Sequence, residues 1–125
     1  MTSGRKTGEP FRLLLVEDEA LIALMLEDMV EGFGCAVTGV APRVALGISM
    51  AESGDFDLAI LDVNVAGENV EPVAERLASR GVPFVFATGY GDGRFNLAGF
   101  DAPVIRKPYD VTQVAAALAE VTGRS

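Results

Sequence analysis

Leu13-Leu14-Leu15-Val16-Glu17-Asp18-Glu19 is the stretch on which the architecture turns: four apolar residues in a row that stop at three acids. An alternating run would mark a strand with one wet face, whereas an unbroken run marks a strand covered on both. The same form returns in Leu58-Ala59-Ile60-Leu61-Asp62 and Phe84-Val85-Phe86-Ala87-Thr88, and more briefly in Val104-Ile105. Between these runs the period lengthens. Ile22, Met25, Leu26, Met29, Val30 and Phe33 draw one stripe along a helix closed by Gly32 or Gly34, with Met25 and Met29 as core fillers. Val44, Gly47, Ile48 and Ala51 make a shorter helix before Ser53-Gly54, and Val70, Val73, Ala74 and Leu77 make another, ended at Gly81. Val111, Val114, Ala115 and Leu118 mark a terminal helix with Asp110 as its N-cap. Cys35 to Ala41 has the weaker alternation of an edge strand, ended by Pro42. A fifth helix between Thr88 and Val104 is expected to be weak, because Gly89, Gly91, Gly93 and Gly99 each cost about 1 kcal/mol relative to alanine. Five strands alternating with five helices imply an α/β fold, a parallel sheet covered on both faces and joined by right-handed crossovers.

The chain has 125 residues, 18 Asp plus Glu against 10 Lys plus Arg, no His and one Cys, for a net charge of −8. That length is one domain, expected at residues 11–125 behind a flexible leader over 1–10. Without histidine the chain cannot form a Ser-His-Asp triad, a His-ligated metal site or a phosphohistidine of its own. The acidic balance speaks against direct contact with nucleic acid and against anionic membrane surfaces. Cys35 has no partner for an internal disulfide and is expected to be a small buried hydrophobe. No secretion signal or membrane-spanning run is visible, so the expected setting is cytoplasmic.

In an open parallel sheet, ligands sit at the carboxyl ends of the strands. Those ends carry Glu17, Asp18, Asp62, Thr88 and Lys107. If the first and third strands are neighbours, three carboxylates converge, and they repel one another unless a cation lies among them. Mg²⁺ suits such a site, being a hard ion that needs only one or two carboxylates together with water and phosphate oxygens. Lys107 offers an ammonium and Thr88 a hydroxyl to phosphoryl oxygens, while a carboxylate can itself be the nucleophile that forms an acyl phosphate. Singly, each has a plainer reading as helix-start acid, turn residue or surface lysine; their coincidence at strand ends favours a site.

The segments LLLVEDE (13–19), DLAILDVNV (57–65), PFVFATGYG (83–91) and RKPYD (106–110) resemble the receiver domain of two-component response regulators, from Phe11 to Thr122. The resemblance implies a flavodoxin-like (βα)5 fold, a three-layer doubly wound five-stranded sheet of order 2-1-3-4-5. It also implies roles for individual residues. Asp62 would accept the phosphoryl group, Asp18 would bind Mg²⁺ directly, Glu17 would assist through water, and the Asn64 backbone carbonyl would be a further ligand. Thr88 and Lys107 would contact the phosphoryl group. Phe86-Ala87-Thr88-Gly89-Tyr90 further resembles the FATGUY receivers, often stand-alone regulators served by histidine kinases of the HWE or a related type. Gly89 and Tyr90 then stand as modulators beside the phosphoryl group, and Pro108 is expected to follow a cis bond that aims Lys107 inward.

Two positions depart from the receiver pattern: Val104 stands where an aromatic switch residue is usual, and Val63-Asn64-Val65-Ala66-Gly67 lacks the common Met-Pro form. The implied function is a single-domain regulator that takes a phosphoryl group on Asp62 from a sensor histidine kinase or a histidine phosphotransfer protein. It would not be an enzyme beyond its own phosphorylation and dephosphorylation, and it would signal by contact with a downstream protein effector, through rearrangement of the glycine-rich stretch 89–99. The competing readings are a phosphorylation-independent adapter and, less favoured, a haloacid-dehalogenase-like phosphatase. The latter expects an acid where Asn64 stands.

Overall fold

The structure, a computed structural model, describes residues 8–89 and 99–123. Its elements are β1 (Phe11–Val16), α1 (Ala20–Glu31), β2 (Cys35–Ala41), α2 (Val44–Ser53), β3 (Leu58–Asp62), β4 (Asn64–Val65), β5 (Glu68–Asn69), α3 (Glu71–Ser79), β6 (Phe84–Thr88), β7 (Val104–Arg106) and α4 (Val111–Thr122). Five strands form one parallel sheet in the order β2-β1-β3-β6-β7, and β4 and β5 form a separate antiparallel pair. Leaving that small pair aside, the order is the expected 2-1-3-4-5. Four helices lie among the described residues, and the weak fifth expected between Thr88 and Val104 falls largely on residues 90–98, outside them.

Strand pleat divides the core in two. Leu14, Val16, Ala59, Leu61, Phe84 and Phe86 face α2 and α3, where Val44, Ala51, Val73, Ala74 and Leu77 complete one layer. Leu13, Leu15, Leu58, Ile60, Val85, Ala87 and Ile105 face α1 and α4, meeting Leu26, Val30, Val114, Ala117 and Leu118. Successive residues point to opposite faces, and here both faces are dry, which is why the strand segments read as unbroken apolar runs. Phe84, Phe86 and Phe100 make edge-to-face contacts at centroid distances of 5.3–5.8 Å, anchoring the chain's return toward β7.

Register is pinned at the amino end of β1. The Arg12 N–H donates to Asp57 Oδ2 at 2.8 Å, the Asp57 N–H donates back to the Arg12 carbonyl at 2.8 Å, and the guanidinium reaches Asp55 at 2.7 Å. A one-residue slip would exchange the two apolar faces and break all three bonds.

One core assignment needs correction. Met25 is 37% exposed, beside exposed Leu21 and Leu24, whereas the inward face of α1 is carried by Leu26 and Val30 with Ile22, Ala23, Met29 and Phe33 packed around them. The apolar stripe of α1 is wider than the surface it covers. Cys35 is buried, as expected. No helix among the described residues is long and apolar enough to cross a membrane.

Candidate functional site

Parallel pairing sets four strand ends along one edge of the sheet. Val16 pairs with Leu61, Asp62 with Ala87 and Thr88 with Arg106, so the residues that follow or end these strands converge without any long-range design. Glu17 and Asp62 are each only 2% exposed and are the buried charged residues among those described. Burying two carboxylates side by side requires compensation. Lys107 supplies part of it: its Nζ lies 3.0 Å from Asp62 Oδ2 and 3.6 Å from Glu17 Oε1. The other oxygens are held by main chain, since the Asn64 N–H donates to Asp62 Oδ1 at 3.2 Å and the Glu19 N–H to Glu17 Oε2 at 3.1 Å. The Lys107–Pro108 bond is cis, as expected, and the lysine points into the acidic group.

The protonation balance follows from this geometry. Burial first, and then the charge of Asp62, push the Glu17 carboxyl up from 4.5 to about 7. Burial also raises Asp62, restrained by the hydrogen bond and charge of Lys107 and by the Asn64 N–H. For Lys107, burial opposes the charged form, but its bond to Asp62 and the charges of Asp62, Glu17 and Glu19 outweigh that, so the ammonium is held above its ordinary range.

One ligand oxygen from each of Glu17, Asp18 and Asp62 lies within 4.8 Å of the others. Glu17 Oε1 is buried and accepts no hydrogen bond among the described residues, and neither does the buried Thr88 Oγ1. Three clustered carboxylates, of which one ammonium reaches Glu17 and Asp62, and a Glu17 Oε1 that accepts no hydrogen bond among the described residues fit a hard divalent cation. Asp18 stands at the surface end of the group, in reach of water.

These residues open into a cleft of about 560 Å³ lined by Asp18, Asp62, Asn64, Gly89, Lys107 and Pro108, with Glu19, Ile22, Ala66 and Gly67 completing its walls. The loop after Asp62, left open by the sequence, is a tight hairpin: β4 and β5 are joined by Ala66 (φ 53°) and Gly67 (φ 86°), the two left-handed residues of a type I′ turn. Asn64 Oδ1 accepts the Gly67 N–H at 2.9 Å and ties the turn together. Ile22, which the sequence marks only as part of a helical stripe, and Ala66 and Gly67, which it marks only as loop, give no sequence signal of a place in the cleft wall, because their part is shape rather than charge. Val104 is 42% exposed on the edge strand and does not line the cleft. Tyr90 lies outside the described residues.

A five-stranded parallel sheet with this acidic, hydroxyl and lysine set at its carboxyl edge defines the class: the chain belongs to the response regulator receiver family. The solution structure of SdrG from Sphingomonas melonis Fr1 matches it with a TM-score of 0.80 at 43% identity, covering 98% of this chain and 99% of that one. A response regulator receiver protein from Sinorhizobium medicae WSM419 matches with a TM-score of 0.80 at 25% identity, over 92% of this chain and 96% of that one. Phyllosphere-induced regulator PhyR of Methylorubrum extorquens is 34% identical over 113 residues, covering 86% of this chain and 42% of that protein. The chain spans about half the length of the curated relatives it matches. No protein-family model matches it.

Proposed function

We propose that the chain is a phosphorylation switch in which Asp62 takes a phosphoryl group from the phosphohistidine of a sensor kinase or histidine phosphotransfer protein. The observation that carries this reading is the buried Asp62 carboxylate, 3.0 Å from Lys107 Nζ and grouped with two further carboxylates. In the transfer, a P–O bond forms to an Asp62 oxygen as the P–N bond breaks, its electron pair returning to the imidazole, which takes up a proton. The chain's lack of histidine makes it the aspartate half of such a pair. Lys107 exchanges Asp62 Oδ2 for a phosphoryl oxygen, and the orphaned Thr88 hydroxyl gains an acceptor. Mg²⁺ held by Asp18, Asp62 and the Asn64 carbonyl, with Glu17 assisting through water, would supply the charge that offsets the phosphoryl oxygens.

The Phe86–Tyr90 segment supports the finer reading of a FATGUY receiver working with an HWE-type kinase in the cytoplasm. The match to SdrG at 43% identity supports the receiver reading, and the output we propose is contact with a downstream protein effector. Acetyl phosphate with Mg²⁺ should label the wild type and leave Asp62→Ala unlabelled. Equal labelling of both would sink the proposal. One observation favours a second reading, a phosphorylation-independent adapter: exposed Val104 has no ring with which to report the state of Thr88. In that case Asp62→Ala would bind the downstream partner as the wild type does.

A further inference from the structure

The outer edge of β7 is closed by a side chain. β6 pairs with β7 through Thr88 and Arg106, and the Lys107 N–H donates to the Thr88 carbonyl at 2.8 Å. In a parallel ladder of this register, the N–H and C=O of Arg106 itself turn away from β6. At a sheet edge they would be two open backbone groups. Gln113, in the first turn of α4, meets both: its Oε1 accepts the Arg106 N–H at 2.5 Å and its Nε2 donates to the Arg106 carbonyl at 3.1 Å. Its own N–H is fixed by the N-cap, donating to Asp110 Oδ1 at 2.8 Å. Asp110 and Gln113 have the spacing of a capping box, in which the third side chain ordinarily reaches back to the N-cap amide. Here it reaches past the cap and pairs with a strand as a neighbouring peptide would.

We infer that Gln113 is a positioning residue for Lys107. The residue before the lysine is clamped from outside by Gln113, and the lysine's own amide is clamped from inside by Thr88, so the start of α4 sets where the ammonium meets Asp62. This rests on the phosphoacceptor reading above, because the group that is positioned matters only if phosphoryl oxygens come to it. A charge that offsets a developing transition-state charge is sensitive to small displacements.

The test is a double-mutant cycle on the full chain, reading the initial rate of Asp62 labelling by acetyl phosphate at fixed Mg²⁺. Gln113→Ala is expected to slow labelling about five- to tenfold. Gln113→Glu, which keeps the acceptor for the Arg106 N–H but sets a carboxylate against its carbonyl, is expected to fall between that variant and the wild type, and it carries the same cycle if the alanine variant folds poorly. In a Lys107→Ala background both losses should vanish, because the group being positioned is gone. A purely structural role would leave the loss unchanged in that background, and this result, or a wild-type rate in Gln113→Ala, would overturn the inference. If Lys107→Ala alone labels at the wild-type rate, the reading of the site fails first and this inference with it.

Discussion

Glu17 shows how a buried residue in a candidate site can oppose folding. Its carboxyl is raised from 4.5 to about 7 by burial and by Asp62, so the folded state prefers the protonated form more than the unfolded chain does. The linkage has one sign: folding is favoured below the unfolded value, and stability is lost as pH rises from about 4.5 to about 7. Glu17→Gln mimics the protonated form at every pH. In metal-free buffer it is expected to be more stable than the wild type by about 3 kcal/mol at pH 8, and nearly equal to it at pH 4.5. Thermal melts of both proteins with chelator at the two pH values check this, and a destabilised Gln variant at pH 8 would show that Lys107 repays the buried charge in full. Most of the site is legible from sequence because strand ends in a parallel sheet share one edge, so Glu17, Asp18, Asp62, Thr88 and Lys107 need only be read as run-ending residues. Gln113 is not legible in this way. A side-chain amide bonding to a strand backbone leaves no periodicity and no charge pairing to detect.

The β4–β5 hairpin is the element least visible beforehand. Two-residue strands carry no pattern, and Ala66 occupies a left-handed conformation that disfavours any residue with a Cβ. Ala66→Gly is expected to stabilise by about 0.5 kcal/mol, the relief of strain exceeding the added freedom of the unfolded chain. Gly67→Ala is expected to destabilise by about 1 kcal/mol, although nothing lies within 4 Å of its absent Cβ, because the cost at φ 86° is conformational. Urea unfolding of the pair measures both, and two shifts of the same sign would contradict the turn assigned here. Strand β2 carries a comparable irregularity: its pairing with β1 jumps from Val37 to Gly39 between Leu13 and Leu14. A Cβ on Gly39 would fall 2.6 Å from Met50 Cε and 2.9 Å from Phe56 Cζ. Gly39→Ala is therefore expected to cost about 1–2 kcal/mol, and an unchanged urea midpoint would mean that Met50 and Phe56 swing aside freely. The continuous strands were readable because both faces are dry, whereas Met25 was misassigned because α1 is apolar over a wider arc than its neighbours cover.

At the scale of the whole molecule, the charge of −8 and the three-carboxylate site make separable demands on cations. Any salt screens the surface acids, and this effect depends on ionic strength rather than on the identity of the ion. A site formed by Glu17, Asp18 and Asp62 instead binds a divalent ion in the folded state only, and stabilises by mass action. At a tenfold excess over Kd that amounts to about 1.4 kcal/mol, or a rise in Tm of roughly 5 °C for a domain of this size. Mg²⁺ is therefore expected to raise Tm above NaCl of matched ionic strength, and the excess is expected to grow with the logarithm of Mg²⁺ concentration. Asp18→Asn keeps the size of the side chain, and Asp18 is exposed, so its fold should be intact while the excess disappears. The measurement is a set of melts of wild type and Asp18→Asn in Mg²⁺ and in matched NaCl. An excess retained in full by Asp18→Asn would place the ion elsewhere on the acidic surface, and no excess in the wild type would leave Glu17 and Asp62 balanced by Lys107 alone, with Asp18 as a surface acid beside them.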